Sequence, residues 1–190
     1  MAAWPRAARA QQPSMPVVGL LSPEWPNAVT ADHLRAFREG LNDTGYVEGR
    51  NVIIEYRWAE GRYDRLPALA VELVRLPVNV IVCFGSTLAA IAAKAASATV
   101  PIVFYGGTDP VSMGLVASLS RPGGNVTGVA TLNIELMAKR LELLHELVPT
   151  ATTLALLVNP TYPNAEALVS NLQTEARILG LRLHVLRSGD

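Results

Sequence analysis

The sequence predicts an α/β protein: a parallel, doubly wound sheet, then a second α/β unit that the chain begins and does not complete. Three observations carry this expectation. Short apolar runs alternate with longer segments of helical period. The runs are apolar throughout, as strands covered by helices on both faces must be. After the first strand–helix repeats a second series starts, but it holds too few strands to close a sheet of its own.

The elements come in order along the chain. Residues 16–22, "PVVGLLS", read as a buried strand, with Pro23, Pro26 and Asn27 as the loop after it. In "TADHLRAFREGLNDTG" Leu34, Ala36, Phe37 and Leu41 recur at helical spacing. Thr30 and Asp32 supply the expected start signals and Gly45 the stop. Residues 51–60 read as a second strand and 64–77 as a helix capped by Asp64, with Pro67 tolerated in its first turn. "NVIVCFG" (79–85) is a third strand, the alanine-rich segment 86–98 a helix opened by Ser86, and "PIVFYGG" (101–107) a fourth strand. Parallel strands joined this way need right-handed crossovers.

Residues 125–132 are short and strand-like. "NIELMAKRLELLHELVP" reads as an amphipathic helix with Leu136, Leu143, Leu144 and Leu147 as its apolar stripe. Residues 153–160 are a buried strand, and "NAEALVSNLQTEARILG" is a helix with Leu168, Leu172, Ala176 and Leu179 on one face. Residues 181–187 are a last strand, so the chain is expected to be a fragment of a longer architecture.

Composition narrows the partners. Half the residues are hydrophobic and 17% are charged, which suits a packed core. Sixteen Lys and Arg balance sixteen Asp and Glu. A zero net charge without a basic run argues against nucleic acid as the partner. The single cysteine, Cys83, lies in an apolar run and is expected to be a buried strand residue. The three histidines are far apart in sequence, so no metal site is expected. The most apolar stretch, "LAAIAAKAASATVPIVF", is broken by Lys94 and Pro101 and is too short to cross a membrane. The N-terminal segment ends in the small-x-small tripeptide Ala8–Ala10, like the tail of a signal peptide, and residues 1–12 are expected to be such a remnant.

Ligands of open parallel sheets bind at the carboxyl ends of strands. Ser22, Pro23, Glu24 and Trp25 follow the first strand, Gly85, Ser86 and Thr87 the third, and Thr108 and Asp109 the fourth. Asn159, Tyr162 and Asn164 follow the first strand of the second unit. Ser86 and Thr87 open a helix, where backbone N–H groups favour a carboxylate. Asp109 suits an ammonium group, and Tyr162 can cover an apolar side chain. The competing reading makes Ser86 a simple helix cap and Asp109 a turn residue before Pro110. Phosphate-loop, dinucleotide and nucleophile-elbow motifs are absent, so no enzyme activity and no cofactor are expected. A nucleotide-dependent enzyme and a ligand-sensing regulatory domain stay open as alternatives.

"GYVEGRNVIIEYRWAEG", "TDPVSMGLVASLSRPGGNVTGV" and "LLVNPTYPNA" together resemble the ABC-transporter substrate-binding proteins of tryptophan/tyrosine-type uptake systems. These are bacterial type I periplasmic binding proteins, and the resemblance spans residues 8–187. It implies a two-lobed α/β fold with lobe one over 13–124, a hinge crossing at 125–131 and part of lobe two over 132–190. It also implies a periplasmic protein that binds an amino-acid-like solute and docks on an ABC permease in the inner membrane. A monomer is expected, with a dimer as the alternative. The ligand positions it implies are Ser22, Ser86, Thr87, Thr108, Asp109, Asn159, Tyr162 and Asn164. A proline commonly follows the Gly-Thr pair of the family where this chain has Gly85-Ser86-Thr87.

Overall fold

The computed structural model of the chain describes residues 15–188. The signal-like segment expected over residues 1–12 lies outside the described residues. Among those described, no helix is long and apolar enough to cross a membrane.

The first unit is built from β1 (Val17–Ser22), α1 (Ala28–Asp43), β2 (Ile53–Trp58), α2 (Leu66–Arg75), β3 (Val80–Phe84), α3 (Thr87–Ala96), β4 (Ile102–Gly106) and β5 (Val126–Ala130). Its strands form one five-stranded sheet in the order β2-β1-β3-β4-β5, and every pairing is parallel. Val126–Ala130, inside the stretch expected to cross between lobes, pairs with β4 along its length as the sheet's edge strand. The second unit holds α4 (Met137–Leu147), β6 (Thr153–Val158), α5 (Ala165–Ile178) and β7 (Arg182–Arg187), with β6 and β7 paired in parallel.

Strand alternation sorts the first core into two layers. Val18, Leu20, Ile54 and Phe84 face α1, where Leu34 is buried and Phe37 and Leu41 pack beside it. Leu21, Ile81, Cys83, Ile102 and Phe104 face the other way, against Leu69, Ala70 and Leu73 of α2 and Ala89, Ala90 and Ala93 of α3. Helices α2 and α3 cover one face, and α1 covers part of the other, leaving Val103, Tyr105 and Val129 of β4 and β5 exposed. The alanines of α3 let it approach closely. A Cβ added at Gly106 would meet Thr87 Oγ1 at 2.5 Å and the Thr87 amide nitrogen at 2.9 Å.

Three local expectations are corrected. The first helix starts earlier than Thr30: Asn27 caps it, accepting from Thr30 N–H at 3.0 Å while its own N–H donates to Thr30 Oγ1 at 2.7 Å. Thr30 is thus the reciprocal partner in a capping box, not the cap itself. Asp64 does not cap α2, because a 3-10 turn (Tyr63–Arg65) intervenes and its carboxylate pairs with Arg62 at 3.0 Å. The helix after β5 starts at Met137 and buries only Leu141, while Leu147 on the expected stripe is 79% exposed and Leu136, Leu143 and Leu144 are also exposed. A two-stranded sheet is one helix wide and gives that stripe little to pack on. In α5 the expected face is better met: Leu172 and Ala176 are buried, with Ala165 and Val169.

Candidate functional site

The chain runs from β1 outward to β2 and then back across to β3. The connections leave β1 and β3 in opposite directions, which opens a crevice at their carboxyl ends. Pro23 and Glu24 come after β1, and Gly85 after β3.

Ser22 is fully buried, and its Oγ accepts the Glu24 N–H at 3.2 Å, so it shapes the turn beneath the crevice. Ser86 caps α3 by accepting from Leu88 N–H at 3.1 Å. Thr87 is buried, and its hydroxyl donates to the Thr108 carbonyl at 3.3 Å, tying the start of α3 to the loop after β4. Gly85 has φ of +80°, and a Cβ there would lie 2.7 Å from Glu24 Oε1. The Glu24 side chain therefore lies across Gly85. Its Oε2 is shielded from solvent and has no hydrogen-bond partner. Burial pushes the Glu24 carboxyl above its ordinary range, with attraction from His33 opposing.

Thr108, Tyr162 and Asn164 line one cavity of about 530 Å³, together with Glu135 and residues of α4 and α5. The structure thus brings together expected residues from the end of β4 and the end of β6. Asn164 precedes α5 without a side-chain capping bond, which leaves its amide free of that duty. Asp109 is half-committed to its turn: Oδ1 accepts Val111 N–H at 2.9 Å, and its own N–H donates to Glu135 Oε1 at 2.7 Å. Asn159 folds its own loop, accepting from Thr161 N–H at 2.9 Å and from the Thr161 hydroxyl at 2.8 Å.

A neighbouring cavity of about 480 Å³ lies between the loop after β2 and the loop after β6, lined by Tyr63, Asp64, Leu88, Thr161 and Pro163 among others. Here Tyr63 and Tyr162 meet edge to face. The Tyr63 hydroxyl is pushed above its ordinary range, first by burial and then by Tyr162 and Glu24. Trp25 stands at the rim, 48% exposed, with its ring over Gly61. A larger depression of about 650 Å³, lined by Thr153, Arg177, Arg182 and His184, starts at the amino ends of β6 and β7. Parallel sheets do not place ligands at that end.

Tyr63 and Glu135 are not among the residues expected from sequence. Tyr63 comes after β2, and the strand-end rule applied to "WAEGRYDR" points to it. Glu135 carries no such signal, since its segment has helical period. Among the described residues no group of His, Cys, Asp and Glu is placed to hold a metal.

The family model described as "ABC transporter substrate binding protein" matches residues 29–188. A curated relative, a tyrosine-binding protein of Clostridioides difficile, is 34% identical over 144 residues, which are 75% of this chain and 41% of the relative. A conserved domain protein of Vibrio cholerae superposes with a TM-score of 0.76 at 30% identity, covering 93% of this chain and 58% of that one. A domain from Streptococcus pneumonia in complex with L-Trp superposes at 0.70 with 24% identity, again over 93% and 58%. A leucine-binding protein of Thermotoga maritima shares the fold at 0.66 with 14% identity, over 92% and 50%. The chain therefore spans about half the length of the relatives it matches.

Proposed function

The chain belongs to the ABC transporter substrate-binding protein family, and from that premise we propose that it is the solute-binding component of a bacterial importer. Its solute is a small molecule of the amino-acid class, an aromatic amino acid by preference. On this reading residues 13–124 are lobe one, 125–131 the crossing and 132–190 part of lobe two. Ser22, Ser86 and Thr87 form the floor of the cleft. Thr108 and Asp109 form one lip, and Asn159, Tyr162 and Asn164 the other.

The observation that carries the proposal is the convergence of Thr108, Tyr162 and Asn164 on one cavity from strand ends of both units. A cleft of that kind binds by closure, the ligand favouring the closed arrangement through contacts to both sides. The start of α3 supplies N–H groups for a carboxylate, and the facing tyrosines supply an aromatic wall. The names of the relatives, one tyrosine-binding and one solved with L-Trp, favour the same ligand class. The protein then works in the periplasm as a monomer and delivers its solute to a permease in the inner membrane. No catalytic step, cofactor or nucleic acid enters this reading.

A thermal-shift screen of the chain tests it, with L-tyrosine, L-tryptophan, L-phenylalanine, L-leucine, NAD and ATP. A ligand at a hundredfold over its dissociation constant adds about 2.7 kcal/mol to the native state. A shift with one or more amino acids is expected. A shift with a nucleotide alone overturns the proposal.

A further inference from the structure

We infer that Glu24 is the residue that reads positive charge on the ligand: its carboxylate receives a primary ammonium at the crevice between β1 and β3. The inference rests on the solute-binding reading above.

The starting observation is an unmet need. Glu24 Oε2 is closed off from solvent and accepts no hydrogen bond. Polar atoms in that position are nearly always paired, because an unpaired one forfeits its hydration and gains nothing in return. For a carboxylate oxygen the missing partner is a donor, and a charged donor satisfies it best.

Two arginines of the loop after β2 are engaged elsewhere: Arg62 pairs with Asp64 at 3.0 Å and Arg65 with Glu60 at 3.0 Å. His33 attracts Glu24 without a hydrogen bond to it. The imidazole instead lies against aromatic rings, 5.7 Å from that of Phe84 and 6.3 Å from that of Tyr105.

The location is equally specific. Gly85 gives up its side chain where Glu24 needs the space, and this is the point where ligands of such sheets bind. Glu24 also acts electrostatically on Tyr63, whose ring meets Tyr162 of the second unit. The acid stands next in sequence to Trp25, whose ring lies over Gly61 at the cavity between the two loops. Asp109, the acid expected from sequence to meet an ammonium, has one carboxylate oxygen in its turn and Glu135 on its N–H. The Glu24 N–H is held by Ser22 Oγ, but its carboxylate Oε2 serves no such turn.

The experiment compares each amino acid with its counterpart lacking the ammonium. Calorimetric titration of the chain uses L-tyrosine against 3-(4-hydroxyphenyl)propionate, with the matching pairs for L-tryptophan and L-leucine. The unaltered chain should prefer the amino acid by at least tenfold. In Glu24→Gln that preference should collapse to within about twofold, with binding of the propionate retained. Glu72→Gln, at an exposed acid of α2 paired with Arg57, should keep it. If Glu24→Gln does not melt cooperatively, Glu24→Asp takes its place and should show a reduced preference. An undiminished preference in the Glu24 variant overturns the inference and leaves the solute-binding reading standing. If the unaltered chain binds neither member of any pair, the solute-binding reading falls and the inference with it.

Discussion

The rings of Tyr63 and Tyr162 meet edge to face, with centroids 5.9 Å apart and planes at 70°. Tyr63 belongs to the loop after β2 in the first sheet, and Tyr162 to the loop after β6 in the second. The pair therefore joins the two units through side chains as well as through the chain itself. Edge-to-face pairs contribute about 0.5–1.5 kcal/mol beyond their buried area. A double-mutant cycle with Tyr63→Leu and Tyr162→Leu, read by urea unfolding, should return a coupling in that range. A coupling near zero would mean that the units do not hold this arrangement in solution.

Gly85 and Gly114 both have positive φ, +80° and +68°, but only Gly85 has a neighbour where a side chain would go. Alanine at either site carries the left-handed backbone cost of about 1–2 kcal/mol. At Gly85 it must also displace the Glu24 carboxylate. Gly85→Ala should therefore destabilise the chain more than Gly114→Ala, and the excess should vanish in a Glu24→Ala background. Chemical denaturation of the four proteins measures this. Equal losses at both glycines would remove Glu24 from its place over Gly85.

Much of this architecture is legible in the sequence, because buried parallel strands announce themselves as apolar runs. The order of strands and helices, the burial of Cys83 and the role of Ser86 as a cap all come from patterns a few residues long. The helix containing Leu143 and Leu147 departs from expectation for the opposite reason. Periodicity shows which face is apolar, but the narrow sheet of β6 and β7 decides how much of it is covered. Of the candidate site, Thr108, Tyr162 and Asn164 are reachable by locating the residues just past each strand's carboxyl end. The bare oxygen of Glu24 is not, since it depends on how a turn held by Ser22 lays one side chain across a glycine at the end of a different strand.

Glu24 also gives the chain a pH signature. Burial raises its carboxyl above the ordinary value of 4.5. Between that value and the raised one, the native state binds more protons than the unfolded state, so stability falls as pH rises. The penalty is full above the raised value and disappears as pH falls below 4.5. Glu24→Gln carries no such penalty. Its melting temperature should exceed that of the unaltered chain at neutral pH, and the gap should close as the pH is lowered through the acidic range. Asp64, whose carboxyl Arg62 holds below its ordinary range, works in the opposite sense but is common to both proteins and cancels in the difference. Paired melts from about pH 8 to about pH 4 span the window, and a gap that widens on acidification contradicts the sign.

Cys83 offers a clean probe of whether the first sheet opens. It is 0% exposed, and burial pushes its thiol far above the ordinary range, so almost no thiolate exists at neutral pH. A thiol reagent should therefore label the chain only through unfolding, at a rate set by the population of the open form. The α2 and α3 side of the sheet that holds Cys83 also carries Ile81, Ile102 and Leu73, all at 0% exposure, so opening there means losing the main core. Adding an amino acid that binds across the cleft should slow labelling by the same factor by which it raises stability. Labelling that is fast in the native chain, or indifferent to a ligand that shifts the melt, would show that the sheet opens at β3 without global unfolding.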